Sequence, residues 1–224
     1  MIRRSFLSRF GLGAAAFAAT ARVSEAAPAM PPEPWQPARH AEDDWLDQPN
    51  AKHRLFIDTT EPDTFGQAIA WCRNFLEASN SGYGLNDADA ALVICARHNS
   101  TPFAYTDQMW AKYGATLAER PNFLDPKTKQ PPTTNVYLAN GYGEQLRNGG
   151  VLLDAMLKRG LHLAVCGMAT RRIAGMIAKK NNSAPDAVYK ELAANLLPNA
   201  HIVAAGIVAV NRAQERGYTA ASVL

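Results

Sequence analysis

The apolar positions fall into two alternating kinds of segment. Short apolar-rich runs read as buried strands, and stretches with apolar residues at helical spacing read as helices. His53–Thr59 is a first strand, and Asp63 or Thr64 caps a helix running to about Ala78. Phe65, Ile69, Cys72 and Leu76 form its core-facing stripe. Ser79-Asn80-Ser81-Gly82 and Gly84 predict a turn. Asp89–Arg97 is a second strand, apolar from Ala90 to Cys95 and so suited to burial on both faces. Tyr105–Tyr113 reads as a helix that Gly114 ends or interrupts, followed by a Pro-, Lys- and Thr-rich loop over 120–134.

Asn135–Ala139 predicts a short third strand, and Val151–Arg159 a helix stopped by Gly160. Leu161–Cys166 is the central strand, followed at once by a helix over Met168–Lys180 with Arg171 and Arg172 in its first turns. Ser183 or Pro185 opens another helix to about Leu196. His201–Ala205 is a further buried strand, Ile207–Arg216 a helix, and Tyr218–Ser222 a last edge strand. This alternation predicts one α/β domain over 53–222: a three-layer α/β/α sandwich around a mainly parallel, roughly five-stranded sheet. Before it, residues 30–52 are Pro-rich and mixed in charge. They form a linker or surface arm whose Trp35 and Trp45 argue for partial packing on the domain or a neighbouring subunit.

The first 29 residues read as an export signal. A charged start, Ile2-Arg3-Arg4-Ser5-Phe6-Leu7-Ser8-Arg9, resembles the twin-arginine motif, with Ser8 where that motif often has Lys. An Ala/Gly-rich segment over Phe10–Thr20 follows, too short to span a bilayer comfortably. Small residues at Ser24/Ala26 or Ala27/Ala29 suit cleavage. The expected location is the periplasm, reached folded through the twin-arginine translocase, with no stable membrane span after cleavage.

This segment changes the reading of charge. The chain has 23 Lys and Arg against 20 Asp and Glu, but residues 1–29 hold four of the basic and one of the acidic residues. The remainder balances at 19 of each, so no basic nucleic-acid face is expected. The three cysteines, Cys72, Cys95 and Cys166, lack any CxxC or Cys/His metal spacing. Neither a metal nor another cofactor is predicted. Asn140-Gly141-Tyr142-Gly143 is not the G-x-G-x-x-G dinucleotide fingerprint, and a G-x-S-x-G hydrolase elbow is absent.

Candidate chemistry sits where strands end, since ligands of open α/β sheets bind outside the strands' carboxyl ends. Cys166 stands at such an end beside a helix N-terminus, where positive partial charge favours a thiolate. It reads either as a nucleophile or as a small buried hydrophobe. The second strand ends in Arg97-His98-Asn99-Ser100-Thr101-Pro102. Arg97 suits an anion through its planar fork and His98 a switchable donor, or both serve as loop hydrogen-bonding groups. An extended strand would point Cys95 and Arg97 one way and His98 the other. Asn140 and Gly167 complete the candidate ligand-binding set.

The strand-Cys-Gly-helix element, Leu196-Leu197-Pro198-Asn199-Ala200, Val203–Ala209 and Gln214-Glu215-Arg216-Gly217-Tyr218 together resemble the DsrE/DsrF-like (YchN-like) family. Leu92–Tyr113, with Arg97-His98, Thr101-Pro102-Phe103 and Met109-Trp110-Ala111-Lys112-Tyr113, is similar to a subgroup of it. The resemblance spans about residues 53–222. It implies a three-layer sandwich assembled as a homotrimer or hexamer. It also implies Cys166 as a candidate carrier of persulfide sulfur, in sulfur relay or periplasmic sulfur chemistry. A non-catalytic ligand-binding or scaffold role stands beside it.

Overall fold

The computed structural model describes residues 35–223. The predicted export signal lies outside them. Pro37 onward forms one compact unit. Its sheet has five parallel strands: β1 (His53–Thr59), β2 (Ala90–Ala96), β3 (Leu161–Cys166), β4 (Ala200–Val203) and β5 (Thr219–Ser222), in the order β4-β3-β2-β1-β5. The register pairs Leu55 with Leu92 and Leu92 with Leu161, so β1, β2 and β3 form the buried centre.

The chain steps from β1 to β4 in one direction. Right-handed crossovers in one direction keep their helices on one face. That face carries α1 (Pro62–Tyr83), α2 (Asp107–Glu119), α3 (Leu153–Lys158), α4 (Gly167–Asn181) and α5 (Pro185–Ala194). Phe65, Ile69, Trp110, Met156, Ile173, Ile177 and Leu192 pack there against Ile57, Ile94, Leu163 and Val165. After β4 the chain returns across the opposite face as α6 (Gly206–Gln214) to β5 beside β1. Ala209 and Ala213 of α6 pack on Phe56, Val93 and Ala164. The sheet is thus an α/β sandwich with helices on both sides.

The second face is completed by the arm. Residues 41–46 form a short 3-10 helix, Leu46 is fully buried in that core, and Trp45 stacks on His201 with ring centroids 4.2 Å apart. His201 Nε2 lies 3.1 Å from His162 Nδ1 across β3 and β4. The buried Arg216 faces Asp44 and Asp47 at 3.7 and 3.5 Å, and Tyr218 donates its hydroxyl to the Leu46 carbonyl at 2.9 Å. Trp35 is exposed.

Three local predictions change. Asn135–Ala139 is not a strand; consecutive turns run through it, with Leu138 and Ala139 amides donating to the Asn135 and Val136 carbonyls. The Asn135 amide group donates to the Phe103 and Tyr105 carbonyls, and Tyr137 donates its hydroxyl to the Pro62 carbonyl at 2.6 Å. A short apolar run has no periodicity of its own. Here it fills the helical face, because β3 already occupies the place beside β2. Ser79–Gly82 is helical, since α1 continues to a left-handed Gly84. Gly114 does not interrupt α2: it makes room for the Pro132 carbonyl, with which any Cβ there would collide.

Candidate functional site

The strand order creates one crevice. From neighbouring β3 and β4 the chain leaves to opposite faces, into α4 and α6. Loops that part in this way open a cleft at the carboxyl ends of the strands. It has a volume of about 200 Å³ and is lined by Arg97, His98, Arg120, Cys166, Met168, Ala169, Arg172, Ala205, Gly206 and Ile207.

Cys166 is the last residue of β3 and the N-cap of α4. Its Sγ accepts the Ala169 amide proton at 3.5 Å, so the thiol occupies the place usually taken by a Ser or Asp oxygen. Thr170 Oγ1 donates to the Cys166 carbonyl at 3.0 Å and receives the Tyr105 hydroxyl at 2.9 Å. This buried chain holds the first turn of α4 in place. Cys166 is 7% exposed. Gly167 does not line the crevice but lets α4 start against β4, since a Cβ would come 2.8 Å from the Val203 carbonyl oxygen.

Arg97 follows β2 and turns toward Gly206. Its Nε and Nη2 donate to Asp58 Oδ1 and Oδ2 at 2.6 and 2.7 Å. That bidentate pair fixes the guanidinium across the floor, and the Asp58 carboxylate holds the Arg97 proton more firmly than usual. Cys95 lies beneath it, fully buried, with its thiol facing the Gly206 carbonyl at 3.7 Å. Burial, followed by the Asp58 charge, pushes the Cys95 thiol well up. Cys72, in the helical face, is likewise pushed up by burial.

His98 reaches the same crevice as Arg97, contrary to the expectation for an extended strand. Its φ of 59° turns the backbone sharply after β2. Arg120 Nη2 lies 3.1 Å from both of its ring nitrogens. Partial desolvation of the exposed ring first, then the Arg120 charge, lowers the His98 pKa below the ordinary histidine value, so the ring is neutral at neutral pH. Glu61, the carboxylate nearby, caps α1 and accepts from Asn99 at 2.9 and 3.1 Å. Arg172 lies two turns into α4 on the crevice side. Among the described residues, neither Arg120 nor Arg172 pairs with a carboxylate.

Asn140 does not belong to this site. It lies exposed in the turn region on the helical face, where its carbonyl accepts from Lys127 Nζ at 3.1 Å. Its expected position depended on a strand that is absent. Arg120 and Gly206 were not foreseen as site residues. Arg120 comes from the far end of α2, and Gly206 matters through space, since a Cβ there would lie 2.6 Å from Arg97 Cβ and Cδ. Arg172 was legible in part: six residues beyond Cys166 on a helix, it remains near the strand end.

The crevice therefore presents one cysteine, two helix starts, a neutral histidine and three guanidinium groups, of which Asp58 compensates one. Such walls suit a small anion. Among the described residues no group of three His, Cys, Asp or Glu is placed to hold a metal ion. No helix there is long and apolar enough to cross a membrane.

No family model matches the chain, and no solved structure matches it. It is similar to the NADPH–cytochrome P450 reductase of Candida tropicalis, with 26% identity over 141 residues. That match covers 59% of this chain and 19% of the reductase.

Proposed function

We propose that this chain is an exported sulfur-handling protein of the DsrE/DsrF-like kind, carrying sulfane sulfur on Cys166. The observation that supports the reading best is the Cys166 side chain at the start of α4, inside a crevice with otherwise basic polar walls. A carrier cysteine needs an anionic sulfur held near partial positive charge, with room beside it for one more sulfur atom. The Ala169 amide meets the first need, and the cavity between α4 and α6 meets the second. Cys72 is fully buried in the helical face, and Cys95 is fully buried beneath Arg97.

In loading, the Cys166 thiolate attacks the outer sulfur of a donor persulfide. The donor's S–S bond breaks, its thiolate leaves, and Cys166 keeps the sulfur. The twin-arginine motif supports export to the periplasm, and the family resemblance supports a homotrimer or hexamer. Intact mass of the protein purified from periplasm tests the carrier role. The expected result is a gain of one sulfur atom, lost on reduction and absent in Cys166→Ser. An unmodified mass after incubation with both organic and inorganic sulfane-sulfur donors rejects it. Light scattering that gives a monomer rejects the assembly.

A second reading is favoured by the 7% exposure of Cys166. An N-cap sulfur so covered serves structure, and the crevice then belongs to a non-catalytic anion-binding or scaffold protein. Calorimetry showing anion binding by a chain whose Cys166 never acquires sulfur would select it.

A further inference from the structure

We infer that the crevice takes thiosulfate, and that its arginines hold the sulfonate end of that dianion while its outer sulfur passes to Cys166. This deepens the sulfur-carrier reading and rests on it.

Size comes first. At about 200 Å³ the cavity is smaller than the roughly 300 Å³ at which pockets for organic ligands begin. Cys166 lies on the floor, 7% exposed, while Met168 and Ile207 at the mouth are 68% and 63% exposed. A cysteine carried on a folded partner would have to pass between those side chains. A slim inorganic donor enters without moving them.

Charge comes second. Arg97, Arg120 and Arg172 line the cavity and Asp58 neutralises only Arg97, so two positive charges are left for the ligand. His98 adds no charge at neutral pH. A dianion matches those two charges while Cys166 keeps its proton. Guanidinium forks match the oxygens of a sulfonate as they match those of a phosphate or carboxylate.

The chemistry closes without an added oxidant. The thiol proton leaves to water at the mouth. The thiolate sulfur attacks the outer sulfur of thiosulfate, and a new S–S bond forms. The old S–S bond breaks, and its electron pair leaves with sulfite. Cys166 ends as a persulfide anion and the released sulfite is again a dianion, so atoms and charge balance. Negative charge moves toward the arginines as sulfite departs, where guanidinium groups stabilise it.

Two experiments on the folded full-length protein test this. Calorimetry with Cys166→Ser separates binding from transfer: thiosulfate should bind, roughly tenfold or more weakly when Arg172→Gln or Arg120→Gln is added. Arg171→Gln should bind as tightly as its parent, because Arg171 lies over Tyr189 and faces Asp186. With Cys166 present, mass spectrometry and sulfite assay should show one added sulfur per sulfite released. Sulfur gained from an organic persulfide but not from thiosulfate overturns the inference and leaves the carrier reading standing. Gain from neither donor overturns both. Transfer from thiosulfate that is indifferent to the two arginines overturns the assigned role of the crevice.

Discussion

Asp58, at the end of β1, grips Arg97, just past the end of β2, with both carboxylate oxygens at 2.6 and 2.7 Å. The pair ties two neighbouring strand ends together and aims a guanidinium across the crevice. Its side chains are 11% and 29% exposed, so water screens it only in part. Asp58→Asn keeps the shape and removes the charge. It should cost about 1–3 kcal/mol of stability in urea denaturation. Unchanged stability would mean that the pair is an ordinary surface contact.

Gly206 opens α6 at the point where Arg97 and Cys95 crowd closest. A Cβ there would sit 2.6 Å from Arg97 Cβ and 3.0 Å from Cys95 Sγ. The crowding atom Arg97 Cβ belongs to the backbone-proximal part of its side chain and moves only with the strand end. Gly206→Ala should therefore lose about 1–3 kcal/mol by overpacking. It should also change thiol accessibility at Cys166, whereas Gly175→Ala in the middle of α4, with open space around it, should do neither.

Acid should loosen the face covered by the arm. Burial lowers the pKa of His162, and burial with the His162 charge lowers that of His201. A histidine depressed in the folded state favours folding fully above its unfolded value of about 6.5. That contribution is lost as pH falls through the folded values. The Tm should fall as pH drops from about 7.5 to about 5.5. His98 adds to the slope in the same direction. In a His162→Gln/His201→Gln variant the slope should shrink to the His98 share. Trp45→Ala, which removes the ring stacked on His201, should cost about 2–4 kcal/mol at neutral pH, by urea denaturation.

The three cysteines should separate by reactivity. Cys72 and Cys95 are fully buried and their thiols are pushed up by desolvation. Native protein at neutral pH should take one equivalent of a small alkylating reagent, on Cys166, and three after denaturation. Labelling at Cys95 in the native state would show that the strand ends open more readily than their packing implies.

Some of this architecture was legible locally. The strand at 90–96 is continuously apolar because it is buried on both faces, and those at 53–59 and 161–166 show the same demand over Leu55–Ile57 and Leu163–Cys166. The stripe Phe65, Ile69, Cys72, Leu76 was helical because its spacing repeats over several turns. Asn135–Ala139 was not legible, because five residues carry no period and their partners, Phe103, Tyr105 and Pro62, are far away in sequence. The arm was half-legible. Trp45 announced packing, but its seat on His201 depended on which face α6 left uncovered.

What the sequence determined by itself was the alternation of strands and helices and the position of Cys166 where a strand passes into a helix. Both follow from neighbours along the chain: side-chain burial over a few residues, and the cap that the first turn of a helix requires. Only the tertiary structure decided which groups share a cleft. Opposite exits from β3 and β4 open it, the left-handed turn at His98 rotates that ring into it, and α2 delivers Arg120 from the far side. These groups are 46 and more residues from Cys166 in the chain apart from Arg172 and the start of α6. Their convergence comes from the order in which strands pair, and strand order is set by the packing of the whole sheet.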